Sequence, residues 1–221
     1  MSTSPPLAAL VQAFFTDRLL QQRQASPHTV AAYRDTFRLL LTYAHTTLGK
    51  QPIALELTDL QVPLITAFLQ HIECERHNSP RTRNVRLAAI HSFFRYVSFS
   101  APECALLCQQ ILAIPSKRYD RKPIAYLSHD EIEALVAAPD TTTWIGRRDR
   151  VLLLLAAQTG LRVSELIALR RRDIAVGVGA HVQCRGKGRK LRATPLRPEA
   201  VHALRHWLRE LPDDPDTPAF P

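Results

Sequence analysis

The chain has 221 residues, a formal net charge of +9 and a pI near 9.9. Its longest apolar run, residues 151–157, is far too short to cross a bilayer, and the start Met1-Ser2-Thr3-Ser4-Pro5 lacks the basic opening of a signal peptide. This argues against a membrane protein and for a cytoplasmic address, while the basic surplus calls for an anionic partner, most often nucleic acid.

Helical periodicity runs through the first hundred residues. Leu7, Leu10, Val11 and Phe14 fall at i, i+3, i+4 and i+7, one apolar face. A second helix opens at Ser26-Pro27, serine as N-cap and proline in the first helical position, and is expected to bury Val30, Tyr33, Phe37, Leu40, Leu41, Ala44 and Leu48. A third is predicted over about 60–75. The fourth opens at Ser79-Pro80 in the same way and is expected to bury Val85, Ala89, Ile90, Phe93 and Val97. These four helices predict a bundle. Arg81, Arg83 and Arg86 decorate the start of the fourth helix, where they suit either a DNA backbone or a merely solvated face. Cys104 and Cys108 stand one helical turn apart; with no C-x-x-C pair anywhere, neither a disulfide nor a metal site is expected.

Residues 116–123 are basic, bounded by Pro115 and Pro123 and without apolar periodicity, which reads as a linker carrying Lys117 and Arg118. Ser128 and Glu131 have capping-box spacing and open a helix to about residue 138. A buried helix over 145–158 is stopped by Gly160, since a left-handed turn is cheap only for glycine. A short helix is expected over 162–170, with the Arg162 guanidinium near its start, where a bidentate fork could grip a phosphate. A hairpin follows over 180–185 and 190–195, then a helix over 198–210. The tail, 212–221, holds four prolines and three aspartates and reads as a loop.

Thr159-Gly160-Leu161-Arg162-Val163-Ser164-Glu165-Leu166, followed by Gly186-Lys187-Gly188-Arg189-Lys190-Leu191-Arg192 and Pro195-Leu196, resembles the first half of the catalytic domain of tyrosine site-specific recombinases, the phage-integrase and Xer-like family. The resemblance implies a mainly α protein. A SAM-like, core-binding helical bundle over 1–113 would precede a basic linker over 114–126. Residues 127–221 would be the first part of a mostly helical catalytic domain with a small β hairpin. It implies double-stranded DNA as partner, other recombinase protomers in a synaptic complex, and no metal or nucleotide cofactor. In that family a tyrosine attacks the scissile phosphate and forms a 3′-phosphotyrosyl link. By resemblance, Arg162 would hold the phosphate and Lys187 would protonate the departing 5′-oxygen. Glu165 would orient Arg162, and Arg189 and Lys190 would join Arg81, Arg83, Arg86, Lys117 and Arg118 on the DNA.

The same resemblance requires a His-x-x-Arg box and a tyrosine after Lys187. His202-Ala203-Leu204-Arg205-His206 spells the box, but it lies in the helix directly after the hairpin and reads as that helix's polar face. All five tyrosines, Tyr33, Tyr43, Tyr96, Tyr119 and Tyr126, precede Arg162. The expectation is a C-terminally truncated mobile-element recombinase that is inactive in cleavage by itself. The alternatives are a non-catalytic DNA-binding module that occupies recombination sites or regulates an intact relative, and a helical scaffold for acidic proteins.

Overall fold

A computed structural model describes residues 6–120, 125–186 and 190–221. Lys187 and Arg189, and Arg121, Lys122 and Pro123 of the expected linker, lie outside the described residues. The chain divides into two compact units, residues 1–122 and 123–221.

In the first unit, α1 (Leu7–Ala13) continues without a break into a wider, π-wound segment, Phe14–Gln22. It is followed by α2 (Pro27–Leu48), α3 (Val62–Cys74), α4 (Pro80–Ser100) and α5 (Ala105–Leu112). The two Ser-Pro openings work as expected: the Ser26 hydroxyl accepts the Thr29 N–H and the Ser79 hydroxyl accepts the Thr82 N–H, each at 3.2 Å. The core is aromatic. Phe14, Phe37 and Phe93 are buried, with the Phe37 and Phe93 rings edge-on at 5.1 Å. Burying each such side chain contributes about 1.5–3 kcal/mol.

Two details differ from the periodicity. Val85 is turned outward, whereas Leu87 and Phe94 are buried. The reason is that α4 packs against α2, α3 and α5, so its apolar stripe is wider than one face and Val85 falls on its rim. Leu48, in the last turn of α2 before the left-handed Gly49, is also exposed. Cys108 is fully buried, and burial pushes its thiol up to about 11.

The second unit contains α6 (His129–Ala137), α7 (Trp144–Thr159), α8 (Val163–Leu166) and α9 (Pro198–Arg209). Between α8 and α9 lies an antiparallel sheet, β1 (Ile174–Ala175), β2 (His181–Arg185) and β3 (Leu191–Pro195), in the order β1-β2-β3. The helix expected over 162–170 is only the four residues of α8. The chain leaves it because Arg170 pairs with Pro218 in a β-bridge, a long-range bond that no local pattern announces. The tail is likewise more than a loop. Ala219 and Phe220 are buried, the Ala219 N–H bonds the Leu169 carbonyl at 2.8 Å, and the Trp207 indole N–H bonds the Ala219 carbonyl at 2.7 Å.

Gly146, in the first turn of α7, is pressed against the backbone of the preceding loop. A Cβ there would lie 1.8 Å from the Asp140 carbonyl oxygen. Gly146→Ala is therefore expected to destabilise the second unit by about 1–3 kcal/mol, the usual range for overpacking. Glycine-to-alanine inside a helix normally stabilises, so a stable variant in a urea titration would contradict this packing.

Candidate phosphate site and nucleic-acid interface

Gly160 ends α7 in the left-handed region, φ 60°, and its N–H bonds the Ala156 carbonyl. That turn buries Leu161 and sends Arg162 outward as the residue that starts α8. Glu165 sits three residues on, where a side chain reaches back to the start of its own helix. Its Oε2 accepts the Arg162 backbone N–H at 2.8 Å and its Oε1 accepts the Arg162 Nη1 at 2.9 Å. The carboxylate thus fixes both the backbone and the guanidinium of one arginine. Glu165 is buried, its side chain 7% exposed, while the Arg162 side chain is 62% exposed. A fixed, solvent-facing guanidinium is suited to an anion, because its fork is ordered before the ligand arrives.

The hairpin closes on the same carboxylate. A Cβ on Gly186 would lie 3.4 Å from Glu165 Oε1, and the Gly186 N–H bonds the Lys190 carbonyl at 2.8 Å. Arg192 on β3 donates Nη2 to Glu165 Oε2 at 2.8 Å and Nε to the Cys184 sulfur at 3.2 Å. Its convergence on Glu165 escaped the motif reading. The signal was there: Cys184 and Arg192 are cross-strand partners, so an inward Cys184 places Arg192 on the same face of the hairpin.

The Arg162 backbone N–H holds the Glu165 carboxyl below its ordinary range; burial opposes this, and the Arg162 guanidinium and the Arg192 charge add to the lowering. A carboxyl lowered in the folded state contributes stability above its unfolded pKa and loses it as pH falls through the folded value. Glu165→Gln should therefore flatten the acid limb of the stability profile. Urea midpoints of the wild type should fall more steeply than those of Glu165→Gln between about pH 5 and about pH 3. Parallel curves would remove Glu165 from the acid response.

The other candidate cations divide into two groups. Arg86 is held inside the bundle, pairing with Asp35 at 2.6 Å and donating to the Thr36 hydroxyl at 3.1 Å. Arg83 donates to the Pro115 carbonyl and Lys117 pairs with Glu73 at 2.7 Å, while Asn84 binds the Lys117 backbone at both its N–H and its carbonyl. Arg83 and Lys117 thus order the end of the first unit, and Arg86 ties α4 to α2. Arg81, Arg118 and Lys190 are exposed and make no ion pair among the described residues. In α9, His202 and Arg205 are exposed, and Arg205 donates to the Val176 carbonyl at 2.6 Å, which fits the polar-face reading of His202–His206. Among the described residues no three metal-ligating side chains cluster, and no helix is long and apolar enough to cross a membrane.

A helical bundle joined in sequence to a unit where one carboxylate orders a guanidinium beside a short hairpin defines a two-unit, mainly α class of proteins. Comparison with known proteins narrows it. Residues 125–217 match the model of the phage integrase family, and residues 13–98 match its N-terminal SAM-like domain. An integrase/recombinase named y4rC from Sinorhizobium fredii is 51% identical over 95% of this chain and 63% of its own length. A second from the same organism, y4rD, is 42% identical over 95% of this chain and 75% of its own. The chain belongs to the phage integrase family, the tyrosine recombinases. It spans less than two thirds of the length of y4rC. Among solved structures, XerH site-specific recombinase bound to a palindromic difH substrate superposes with a TM-score of 0.64 at 21% identity, over 90% of this chain and 58% of that one, a likeness of fold.

Proposed function

We propose that this chain is a DNA-binding protein of integration and site-specific recombination, whose Arg162 holds a backbone phosphate of duplex DNA. The observation that carries this reading is Arg162 itself, held at its backbone N–H and at its guanidinium by one buried carboxylate, with the guanidinium still open to solvent. In phosphoryl transfer by an attacking hydroxyl, negative charge gathers on the non-bridging oxygens, and a cation ordered in advance stabilises it without reorganising. Lys187 directly follows Gly186, the glycine that lies against Glu165. By family resemblance we assign Lys187 the proton for the leaving 5′-oxygen, a role that needs neighbouring cations to lower its pKa. Duplex contact is assigned to Arg81, Arg118, Arg189 and Lys190. Arg83, Arg86 and Lys117 support that surface by holding the bundle and the chain beyond it. The first unit is the core-binding part in this reading, and the second carries the phosphate site.

All five tyrosines precede Arg162, and none occupies the place of the family's nucleophile. We therefore propose that this chain by itself binds DNA without cutting it, and that it can occupy a recombination site as a non-catalytic module. The test is a nicked suicide duplex labelled on one strand, incubated in metal-free buffer. The expected result is a shifted complex on a native gel and none on a denaturing gel. A protease-sensitive band on the denaturing gel that vanishes in Tyr119→Phe or Tyr126→Phe would overturn the non-catalytic reading. No native shift at low salt would overturn the DNA-binding one.

A further inference from the structure

One buried carboxylate serves two arginines. Glu165 Oε1 takes the Arg162 guanidinium, and Oε2 takes both the Arg162 N–H and the Arg192 guanidinium, from a residue 27 positions further along the chain. A buried carboxylate with too few partners is costly, and it recruits whatever donor can reach it. Arg192 satisfies it from the side that faces β2. There the Cys184 sulfur takes the guanidinium's other bond and fixes its plane.

Resting on the reading of Arg162 as the phosphate clamp, we propose that Arg192 is a positioning residue: through Glu165 it holds the Arg162 guanidinium in place and ties the hairpin to the clamp. Two of its side-chain donors are taken, by Glu165 and Cys184, against one in Arg162, and it is less exposed, 42% against 62%, so its role is assigned through the carboxylate. Without it, Oε2 keeps only a backbone N–H. The carboxylate is then free to turn and draw the Arg162 fork down onto itself. The ion pair also affects charge. Two guanidinium groups and one carboxylate leave a net positive site, whereas Arg162 and Glu165 alone cancel and attract a phosphate less.

The experiment measures the salt dependence of duplex DNA binding for the wild type, Arg162→Ala, Arg192→Ala and the double variant. Each phosphate contact contributes about 0.9 to the log–log slope. Each single variant is expected to lose about one such contact, and the double variant is expected to lose about one as well. Arg192→Lys, which keeps the ion pair with Glu165, is expected to retain the wild-type slope. Arg192→Gln replaces Arg192→Ala if the alanine variant does not fold, as judged by tryptophan fluorescence. An unchanged slope in Arg192→Ala, a double variant that loses about two contacts, or a lysine variant as weak as the alanine one would each overturn the proposal. A wild type that does not bind, or an Arg162→Ala slope that does not change, overturns the clamp reading itself and this inference with it.

Discussion

Trp207→Ala is expected to cost the second unit about 3–5 kcal/mol, the range for deleting a large buried aromatic. Trp207 is 1% exposed, and its ring meets Trp144 with centroids 5.0 Å apart. Its indole N–H is also the bond that holds the Ala219 carbonyl, so the variant leaves a cavity and an unpaired acceptor together. Both changes act on the tail, whose Ala219 and Phe220 belong to the same core. A loss of this size takes a large share of the ~5–15 kcal/mol that typically separates folded from unfolded domains. The chain has two tryptophans, Trp144 and Trp207, both in the second unit, so fluorescence during urea unfolding reports that unit. Trp144 remains as the reporter in the variant. Trp207→Phe, which keeps most of the ring but not the N–H, should cost less. A Trp207→Ala midpoint within about 1 kcal/mol of the wild type would mean that the tail does not pack under α9.

Binding to duplex DNA should fall by orders of magnitude as salt rises from about 50 to about 200 mM, roughly a thousandfold if about six phosphates are neutralised. The net charge of +9 already counts the acids, so internal ion pairs leave it unchanged; they decide instead which cations face a carboxylate of the protein itself. Arg86 and Arg38 share Asp35, Arg147 pairs with Glu210, Arg171 with Asp213, and Arg170 and Arg172 with Asp216. Cations such as Arg81, Arg118 and Lys190, which have no such partner among the described residues, are expected to contribute most to the slope. Arg81→Ala should therefore reduce the slope by about one phosphate contact, whereas Arg86→Ala should act mainly on the stability of the bundle. Filter binding across a salt series, with an unrelated duplex as control, checks both. A shallow slope in the wild type would favour a partner other than nucleic acid.

Much of this architecture is local and could be read directly. Ser26, Ser79 and Ser128 each accept the N–H three residues on, and Gly160 takes the left-handed turn that ends α7. A cap depends on side chains within one turn of each other, so spacing alone reveals it. The Arg162–Glu165 bond is of the same kind, three residues apart within one turn, which is why the pair was visible as a motif.

What the amino-acid order determined by itself is this set of short-range features: helix starts and stops, the hairpin arms, and one arginine with its carboxylate. Only the tertiary structure decided which cations find a partner within the protein. Arg83, Arg86 and Lys117 look like Arg81 and Arg118 in the sequence. They differ because Pro115, Asp35 and Glu73 come from distant segments and engage them. It likewise decided that α8 stops after four residues and that the tail returns to bond Leu169 and Trp207. Above all, it brought Arg192 to Glu165 across 27 residues. Each of these contacts forms between chain segments that meet only after the core has folded, and the strength of a charge or a donor depends on what it then faces.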